Sequence, residues 1–161
     1  MTIRPATASD AAAVAAIFNQ GIAERVATFE TRPQGAATVA TRIEAGELVL
    51  VAERLGRVVG WAGVSPYCDR HHYYDGVGEA TLYVDRSARR GGVGRALLEA
   101  LAGAAAKRGL HKLVGKLFTT NAASIELVRA CGWRDVGIHR RHGRLDGEWK
   151  DVLVMERPLE E

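Results

Sequence analysis

Between Tyr83 and Gly109 the chain passes from an apolar strand, through a loop of arginines and glycines, into an amphipathic helix, with the sequence YVDRSARRGGVGRALLEALAGAAAKRG. The first amide groups of a helix have no partner inside it, and the helix dipole makes that end positive. Glycines let a bound group come close to the backbone, and arginines add charged hydrogen-bond donors. This stretch therefore predicts an anion-binding loop; the alternative is a basic loop in front of an ordinary surface helix.

Two common phosphate-binding motifs do not fit this loop. A P-loop ends in Gly-Lys-Ser/Thr, whereas Gly94 is followed by Arg95 and Ala96. A Rossmann dinucleotide site has an acidic residue on the next strand, and the next strand here, HKLVGKLF, contains no acid. The loop from Arg89 to Gly94 therefore predicts a phosphate site of another kind.

Composition narrows the class of protein. A length of 161 residues predicts one domain, residues 1–161, with a substantial core. A formal net charge of +3 suits a small anionic ligand better than a nucleic-acid surface. No apolar run reaches the roughly 18 residues of a membrane span, and the N-terminus MTIRPATASD does not resemble a signal peptide. Two cysteines, Cys68 and Cys131, are too few for a disulfide framework, which favours a cytoplasmic location.

Apolar periodicity divides the chain into strands and helices. IRPA predicts a first strand, and Ser9 is placed to cap a helix whose apolar positions follow the spacing i, i+3, i+4 and i+8. A weaker helix is expected around Ala36–Ala45. The apolar runs LVLVAE and VVGWAGVS flank RLGR and predict a hairpin, and Glu79–Val84 predicts a third strand. In the first helix, the apolar positions with this spacing are Val14, Ile17, Phe18 and Ile22.

The second half of the chain continues this alternation. A long helix is expected at Val93–Lys107, followed by the strand HKLVGKLF and the helix NAASIELVRACG. WRDVGIHR and DVLVMER predict two final strands. The order is strand, two helices, three strands, helix, strand, helix, two strands, which predicts a mixed α/β fold whose sheet begins antiparallel.

The spacing Arg89-x-x-Gly92-x-Gly94, directly after the strand LYV and directly before a helix, resembles the pyrophosphate loop of GNAT-type N-acetyltransferases. The resemblance covers essentially the whole chain, from the opening RPATASDAAAVAAIFNQGI to NAASIELVRACGW, which is similar to the late family helix whose Asn contacts the cofactor. It implies the GNAT fold, a mixed, mostly antiparallel central sheet flanked by helices and splayed at the acetyl-CoA site. The residues implied to bind acetyl-CoA are Leu82, Tyr83, Val84, Arg89, Arg90, Gly91, Gly92, Val93, Gly94, Arg95, Asn121 and Ser124.

Four further segments narrow the resemblance. ATFETRPQ, SPYCDR, VGEATLYV and GRLDGEWKDVLVMER resemble the phosphinothricin N-acetyltransferase group, and most closely its arsinothricin N-acetyltransferase branch. That group acetylates the α-amine of glutamate-like phosphinic or arsinic amino acids, and some members act on methionine sulfoximine or sulfone. The resemblance implies a homodimer that confers resistance to such a toxin. It leaves the acceptor open, because phosphinate, arsinate, sulfone and sulfoximine present tetrahedral oxygens at similar reach.

The predicted chemistry needs a base, because a protonated α-ammonium cannot attack a thioester. Glu79 lies on the strand beside the loop and matches the general base of the phosphinothricin group; the alternative is a surface acid at a strand end. The resemblance implies that a backbone N–H near Leu82–Val84 stabilises the oxyanion. Direct transfer is expected, since no nucleophilic Ser-His or Cys-His pairing is visible.

One family position departs from the pattern. Many GNAT enzymes carry a tyrosine four residues after the Ser of the Asn-x-x-Ser motif, where it protonates the leaving thiolate. In this chain Ser124 is followed at that spacing by Val128, so the role is vacant. Tyr83 is one substitute, and the alternatives are water or unassisted departure of the thiolate.

Cations and aromatics indicate where the acceptor binds. Arg70 in PYCDR matches an arginine of the group's acceptor pocket, where a guanidinium can grip a carboxylate or arsinate through two hydrogen bonds. Phe29 in ATFE matches a pocket aromatic. Tyr73 or Tyr74 is expected on the same wall, and RHHYYDGVGE is one residue longer than the usual pattern, so which of the two is equivalent stays open.

Other charged groups carry weaker signals. The basic run HRRHGR is short and has no aromatic platform, so no nucleic-acid partner is expected; it could face an anionic substrate or a partner subunit. Trp149 and Asp151 are interpreted as structural or interface residues. No metal is expected, because standard metal-site spacing is absent among His71, His72, His139 and His142.

Two other functions stay open beside a small-molecule acetyltransferase. An acetyltransferase acting on protein N-termini or lysines needs an open groove, whereas TFETRPQ and SPYCDRHHYYDG are long enough to close over a small molecule. A CoA-binding module without catalysis would be expected to lack the base, yet Glu79 is present.

Overall fold

A computed structural model describes residues 1–68 and 70–159 and arranges them around one seven-stranded sheet. The helices are α1 (Ala11–Glu24), α2 (Ala36–Glu44), α3 (Val93–Lys107) and α4 (Ala122–Ala130). The strands are β1 (Thr2–Pro5), β2 (Leu48–Arg54), β3 (Arg57–Pro66), β4 (Val77–Val84), β5 (Lys112–Phe118), β6 (Arg134–Leu145) and β7 (Glu148–Pro158).

The sheet has the strand order β1-β2-β3-β4-β5-β7-β6. Strands β4 and β5 run parallel, and the other neighbouring pairs are antiparallel. This confirms the predicted mixed, mostly antiparallel sheet and the predicted order of elements. The parallel pair lies in the middle of the sheet, where the strand into the glycine loop meets the strand that follows α3.

Helices cover both faces of the sheet, and each face has its own apolar core. On one side Phe18 of α1 packs with Val51 and Trp61 of the sheet. On the other side Leu97 of α3 packs with Met155 of β7, and both side chains are fully buried. No helix within residues 1–68 and 70–159 is long and apolar enough to cross a membrane. Strand β4 contributes to both cores, since Tyr83 packs against the first and Leu82 and Val84 pack against the second.

The start of the first helix differs from the prediction. Ser9 is exposed within a short 3-10 helix, Ala8–Asp10, and does not cap α1. Asp10 accepts instead from the Thr7 backbone amide at 2.8 Å and takes the Arg4 guanidinium in an ion pair at 2.8 Å. The Asp10 carboxylate thus closes the 3-10 turn at Thr7, and Asp10 itself, with no side-chain cap, holds the N-cap position of α1.

The last two strands are longer than predicted and form one extended hairpin. Asp146 and Gly147 connect them with φ values of 50° and 82°, the two positive values that a two-residue hairpin turn requires. The pairing of β6 with β7 shifts register twice, and the second shift leaves extra residues on β6 between His139 and Gly143. The Asp-Gly pair was the sequence signal for this hairpin.

Asp10 yields a stability prediction. The hydrogen bond from Arg4 holds the pKa of Asp10 below its usual value, so the charged carboxylate stabilises the fold above the unfolded pKa of about 3.9 and this stability is lost as pH falls through the lower folded pKa. We expect Asp10→Asn to lower the free energy of unfolding at pH 7 by about 2 kcal/mol. Urea titrations should show this difference shrinking below about pH 4.

Asp135→Asn is the matched control, because Asp135 forms an ion pair with Arg129 at the surface. Exposed pairs contribute little to stability, so this variant should unfold like the wild type. A loss in Asp10→Asn that is as large at pH 3 as at pH 7 would contradict the assignment.

Candidate active site

The site begins where β4 and β5 separate. These parallel strands pair at three positions only, from Val77 opposite Lys112 to Glu79 opposite Val114. Beyond that point β4 continues to Val84 alongside β3 alone, and β5 continues alongside β7. Within the described residues, the β4 edge that faces β5 therefore has no strand partner from Ala80 onward, and its backbone groups are free to bind a ligand.

Two adjoining cavities open along this gap. The first, here called the Glu79 cavity, has a volume of about 470 Å³. The second, here called the loop cavity, has a volume of about 480 Å³ and lies at the start of α3. The residues that line both are Ala27, Leu82, Tyr83, Asn121 and Ser124. A ligand that lies along β4 can therefore reach from one cavity into the other.

Asp85 positions the loop between β4 and α3. Its buried carboxylate accepts from the Ser87 amide at 2.9 Å and from Gln20 of α1 at 3.1 Å. The Ser87 hydroxyl also donates to it. That bond contributes most, and together the three bonds hold the pKa of Asp85 below its usual value, so the carboxylate stays ionised. The result is a fixed turn that delivers the glycines to the mouth of α3.

The first turn of α3 presents uncapped amides to the loop cavity. Gly92 is the N-cap, with φ at 79°, and no side chain caps the helix. A side chain there would be strained by the positive φ. Glycine is needed at position 94 for a different reason, since a Cβ there would lie 2.8 Å from the Leu127 side chain on α4. Both glycines line the cavity.

The three arginines of the loop have different surroundings. Arg89 forms a bidentate pair with Glu24 of α1, at 2.8 and 2.9 Å, and this pairing raises its pKa. Arg90, with φ at 61°, and Arg95 line the cavity and take no part in the ion pairs of the described residues. Arg90 and Arg95 are therefore the guanidinium groups available to an anion, and Arg89 also fastens the loop to α1.

Asn121 and Ser124 lie at the start of α4, on the opposite side of the gap. Asn121 caps that helix, accepting from the Ser124 amide at 3.4 Å. Both residues line both cavities. Val128, one turn further, is buried and lines the Glu79 cavity, so the wall is apolar at the position where the resemblance led us to look for a tyrosine.

Glu79 lines the first cavity and is paired with a lysine. Lys116 Nζ lies 3.3 Å from Glu79 Oε1 and 3.4 Å from Oε2. The strand begins at Val77, two residues earlier than predicted, so Glu79 lies inside β4 at its last pair with β5. The carboxylate therefore stands at the point where the strands part.

Tyr83 occupies the boundary between the two cavities. Its ring packs edge-on against Phe18, 4.9 Å between centroids, and stacks on Trp61 at 5.5 Å. Gly21 of α1 makes room for it, since a Cβ there would lie 2.5 Å from the ring. Burial raises the pKa of Tyr83 to about 12, so the phenol keeps its proton at neutral pH.

Phe29 forms part of the outer wall. Its ring meets Phe118 of β5 edge-on at 4.8 Å and presses on Gly143 of β6, where a Cβ would lie 2.6 Å away. The register shift in β6 brings His142 to the same cavity, and Asp151 fixes the shift by accepting from the Arg141 amide at 2.7 Å. Asp151 thus has a structural contact, as predicted for it.

The remaining predicted acceptor residues lie on the loop before β4, which approaches the Glu79 cavity where Lys116 Nζ stands 6.0 Å from the Tyr67 ring centroid. Arg70 is exposed, and Tyr73 and Tyr74 belong to an aromatic cluster with Tyr67 on the loop before β4. Among the described residues that line either cavity, none of Arg70, Tyr73 and Tyr74 appears. Their roles stay predictions.

Several lining residues were not predicted. Lys116, Thr28, Thr81 and His142 all face the Glu79 cavity. Thr81 follows Glu79 by two positions and so shares its face of the strand, which was readable from the alternation. Lys116 is a charged residue inside the apolar run HKLVGKLF, and this irregularity was the sequence feature that could have identified it as a site residue. Within residues 1–68 and 70–159 no three His, Cys, Asp or Glu side chains cluster as metal ligands do.

Comparison with known proteins agrees with this geometry. Residues 14–133 match the model of the acetyltransferase (GNAT) family. The chain is 32% identical to an L-methionine sulfoximine/L-methionine sulfone acetyltransferase from Pseudomonas aeruginosa, over 99% of this chain and 95% of that protein.

Two solved structures share the whole architecture. A phosphinothricin acetyltransferase from Sinorhizobium meliloti in complex with acetyl-CoA is 32% identical, with a TM-score of 0.91 over 99% of this chain and 89% of that one. A ribosomal-protein-alanine N-acetyltransferase from Brucella melitensis is 34% identical, with a TM-score of 0.92 over 99% of this chain and 100% of that one.

The chain belongs to the GNAT acetyltransferase family. This confirms the prediction of an acetyl-CoA-dependent N-acetyltransferase and the resemblance from which the fold was inferred.

The glycine at the mouth of α3 yields the second prediction. We expect Gly92→Val to raise the KM for acetyl-CoA at least about tenfold, because the positive φ and the β-branched side chain displace the amides that face the loop cavity. The kcat at saturating acetyl-CoA should change much less. Initial rates measured over a range of acetyl-CoA concentrations check this.

Gly103→Val is the matched control. Gly103 lies on the exposed side of α3 with open space around it, so the same change is made without positive φ. An unchanged KM in Gly92→Val would contradict the role of this loop.

Proposed function

We propose that this chain transfers the acetyl group of acetyl-CoA to the α-amine of a small, glutamate-like amino acid toxin, such as arsinothricin, phosphinothricin, methionine sulfoximine or methionine sulfone, and so confers resistance to it in the cytoplasm. The observation that carries the proposal is the adjacency of the two cavities across the gap between β4 and β5. A thioester reaching through the gap from the loop cavity meets the Glu79 carboxylate on the other side.

Acetyl-CoA is proposed to enter from the α3 side. Its pyrophosphate would accept hydrogen bonds from the uncapped amides of Val93 and Gly94 and pair with Arg90 and Arg95. The pantetheine arm would follow the unpaired edge of β4 past Leu82 toward the shared residues. Ser124 and Asn121 would contact it from α4.

The acetyl transfer is proposed to be direct. Glu79 accepts a proton from the acceptor's ammonium, and the freed amine attacks the thioester carbonyl carbon. A backbone N–H of Leu82–Val84, unpaired on the β5 side, donates to the oxyanion that forms. The nitrogen loses its second proton to solvent as the C–S bond breaks, so that a neutral amide keeps the acetyl group and the CoA thiolate leaves.

The thiolate takes its proton from Tyr83 or from water. Tyr83 lines both cavities and carries its proton at neutral pH, since burial raises its pKa to about 12. A phenol with so high a pKa is a weak acid. We therefore propose that Tyr83 donates a hydrogen bond to the sulfur and that solvent supplies the proton. Val128 offers no alternative donor.

The acceptor is proposed to lie in the Glu79 cavity against Phe29. Its small volume and the aromatic wall suit an amino acid side chain of a few atoms. The resemblance to the phosphinothricin group adds Arg70 and one of Tyr73 and Tyr74, which would reach the acceptor from the loop before β4. A similar relative acts on methionine sulfoximine and sulfone, and a similar structure is a phosphinothricin acetyltransferase.

A second candidate is acetylation of protein N-termini. It is favoured by the likeness to the ribosomal-protein-alanine N-acetyltransferase of Brucella melitensis. Against it, Phe29 packs on Phe118 and Gly143 at the wall of the Glu79 cavity, which leaves less room for a peptide there.

A homodimer is also proposed, on the resemblance and on the surface of β6. This strand ends the sheet, so one of its edges is unpaired within the described residues. Val136 and Ile138 on it are 50% and 55% exposed. An open edge with apolar side chains is a surface that a second copy can cover.

Glu79→Gln tests the proposed base. We expect kcat to fall at least about tenfold with the best small acceptor, because the amide cannot accept the proton. The dissociation constant for acetyl-CoA should stay nearly the same, since the loop cavity is untouched. Thiol release measures the first quantity and calorimetric titration the second.

Glu126→Gln serves as control, since Glu126 lies exposed on α4 and lines neither cavity. Equal turnover in Glu79→Gln and wild type would remove Glu79 from the mechanism.

A further inference from the structure

We propose that Lys116 binds the α-carboxylate of the acceptor, so that the Glu79–Lys116 pair selects zwitterionic α-amino acids over other amines. This inference rests on the proposed function and deepens it by assigning the residue that recognises the acceptor's carboxylate.

The backbone places Lys116 beside the base. Glu79 pairs with Val114 in the parallel ladder, and partners in such a ladder point to the same face. Lys116 follows Val114 by two positions and shares that face. Its ammonium therefore stands across the gap from Glu79, at 3.3 Å from one carboxylate oxygen and 3.4 Å from the other.

The pair is one that a ligand can exchange. The Lys116 side chain is 47% exposed and that of Glu79 is 30% exposed, and ion pairs at such positions add little to stability. Within the described residues Lys116 has no other acidic partner within ion-pair distance. Its flexible stem lets the ammonium move toward an incoming anion while it remains at the cavity.

The charges of the pair match those of an amino acid. An α-amino acid carries its ammonium and its carboxylate on one carbon. With the ammonium on Glu79 and the carboxylate on Lys116, each of the four charges has two opposite neighbours. An amine without that carboxylate instead brings a second cation beside Lys116, and like charges repel. Lysine side chains and protein N-termini belong to this second class.

Other cations are less well placed for this task. Arg70 is exposed and does not line the Glu79 cavity. His142 does line it, so it is the competing candidate within the described residues. It lies on β6 with its ring centroid 4.2 Å from that of His139, whereas Lys116 is the charged partner that the described residues place within ion-pair distance of Glu79.

The test compares L-phosphinothricin with its α-carboxamide, which keeps the amine and loses the negative charge. The wild type should prefer the carboxylate about 100-fold in kcat/KM. In Lys116→Met this preference should fall below about tenfold, mainly through a higher KM for L-phosphinothricin. Lys116→Arg should restore most of it. Because every variant is measured with the same two acceptors, the difference in amine pKa between the acceptors cancels when the preferences of two variants are compared.

Lys107→Met is the matched control, since Lys107 is exposed at the end of α3 and lines neither cavity. It should keep the wild-type preference. If kcat/KM fell equally for both acceptors in Lys116→Met, the lysine would only position Glu79, and this would overturn the inference. Loss of the preference in His142→Gln, with Lys116→Met unaffected, would also overturn it.

Titration calorimetry of L-phosphinothricin into CoA-saturated protein separates this inference from the proposed function. Weaker binding to Lys116→Met than to wild type supports the inference even if none of the four proposed acceptors is acetylated, a result that would defeat the function alone. Transfer with an unchanged preference in Lys116→Met would defeat the inference alone. A wild type that neither binds nor acetylates L-phosphinothricin or any of the other three proposed acceptors contradicts both.

Discussion

The separation of β4 from β5 is the constraint on which the rest of the site depends. Three paired positions hold the strands together, and after Glu79 each strand keeps only its other neighbour. This costs hydrogen bonds in the centre of a sheet, which a fold tolerates where a ligand can make them instead. The same gap joins the loop cavity to the Glu79 cavity, so the cofactor loop and the base come together because the ladder is interrupted.

Local signals made the fold predictable. The glycine loop and the apolar period of α3 predicted that helix with the bounds Val93–Lys107 that the structure has. The errors lie where one local signal competed with another. Ser9 lies inside a 3-10 turn that Asp10 closes at the Thr7 amide, so α1 starts at Ala11 without a side-chain cap. The strands of the last hairpin were predicted too short, because the polar strand β6 lacks apolar alternation. Asp146 and Gly147 nevertheless mark the turn.

Most of the predicted site residues that line the cavities lie on the strand–loop–helix unit, and Phe29, Asn121 and Ser124 line them from elsewhere in the chain. Glu79, Tyr83 and the loop from Arg89 to Gly94 are close in sequence, so a short motif contains them. Lys116 reaches Glu79 through the parallel pairing of strands that are separated by the whole of α3. His142 reaches the cavity through a register shift in β6 that depends on Asp151. Such contacts follow from the topology of the sheet, and no local pattern encodes them.

The most direct measurement is thiol release from acetyl-CoA by the purified protein against arsinothricin, phosphinothricin, methionine sulfoximine, methionine sulfone, glutamate and an alanine-terminated peptide. We expect a kcat/KM above about 10⁴ M⁻¹s⁻¹ for at least one of the small amino acids and no turnover of the peptide. Turnover of the peptide, with none of the small acceptors used, would contradict it.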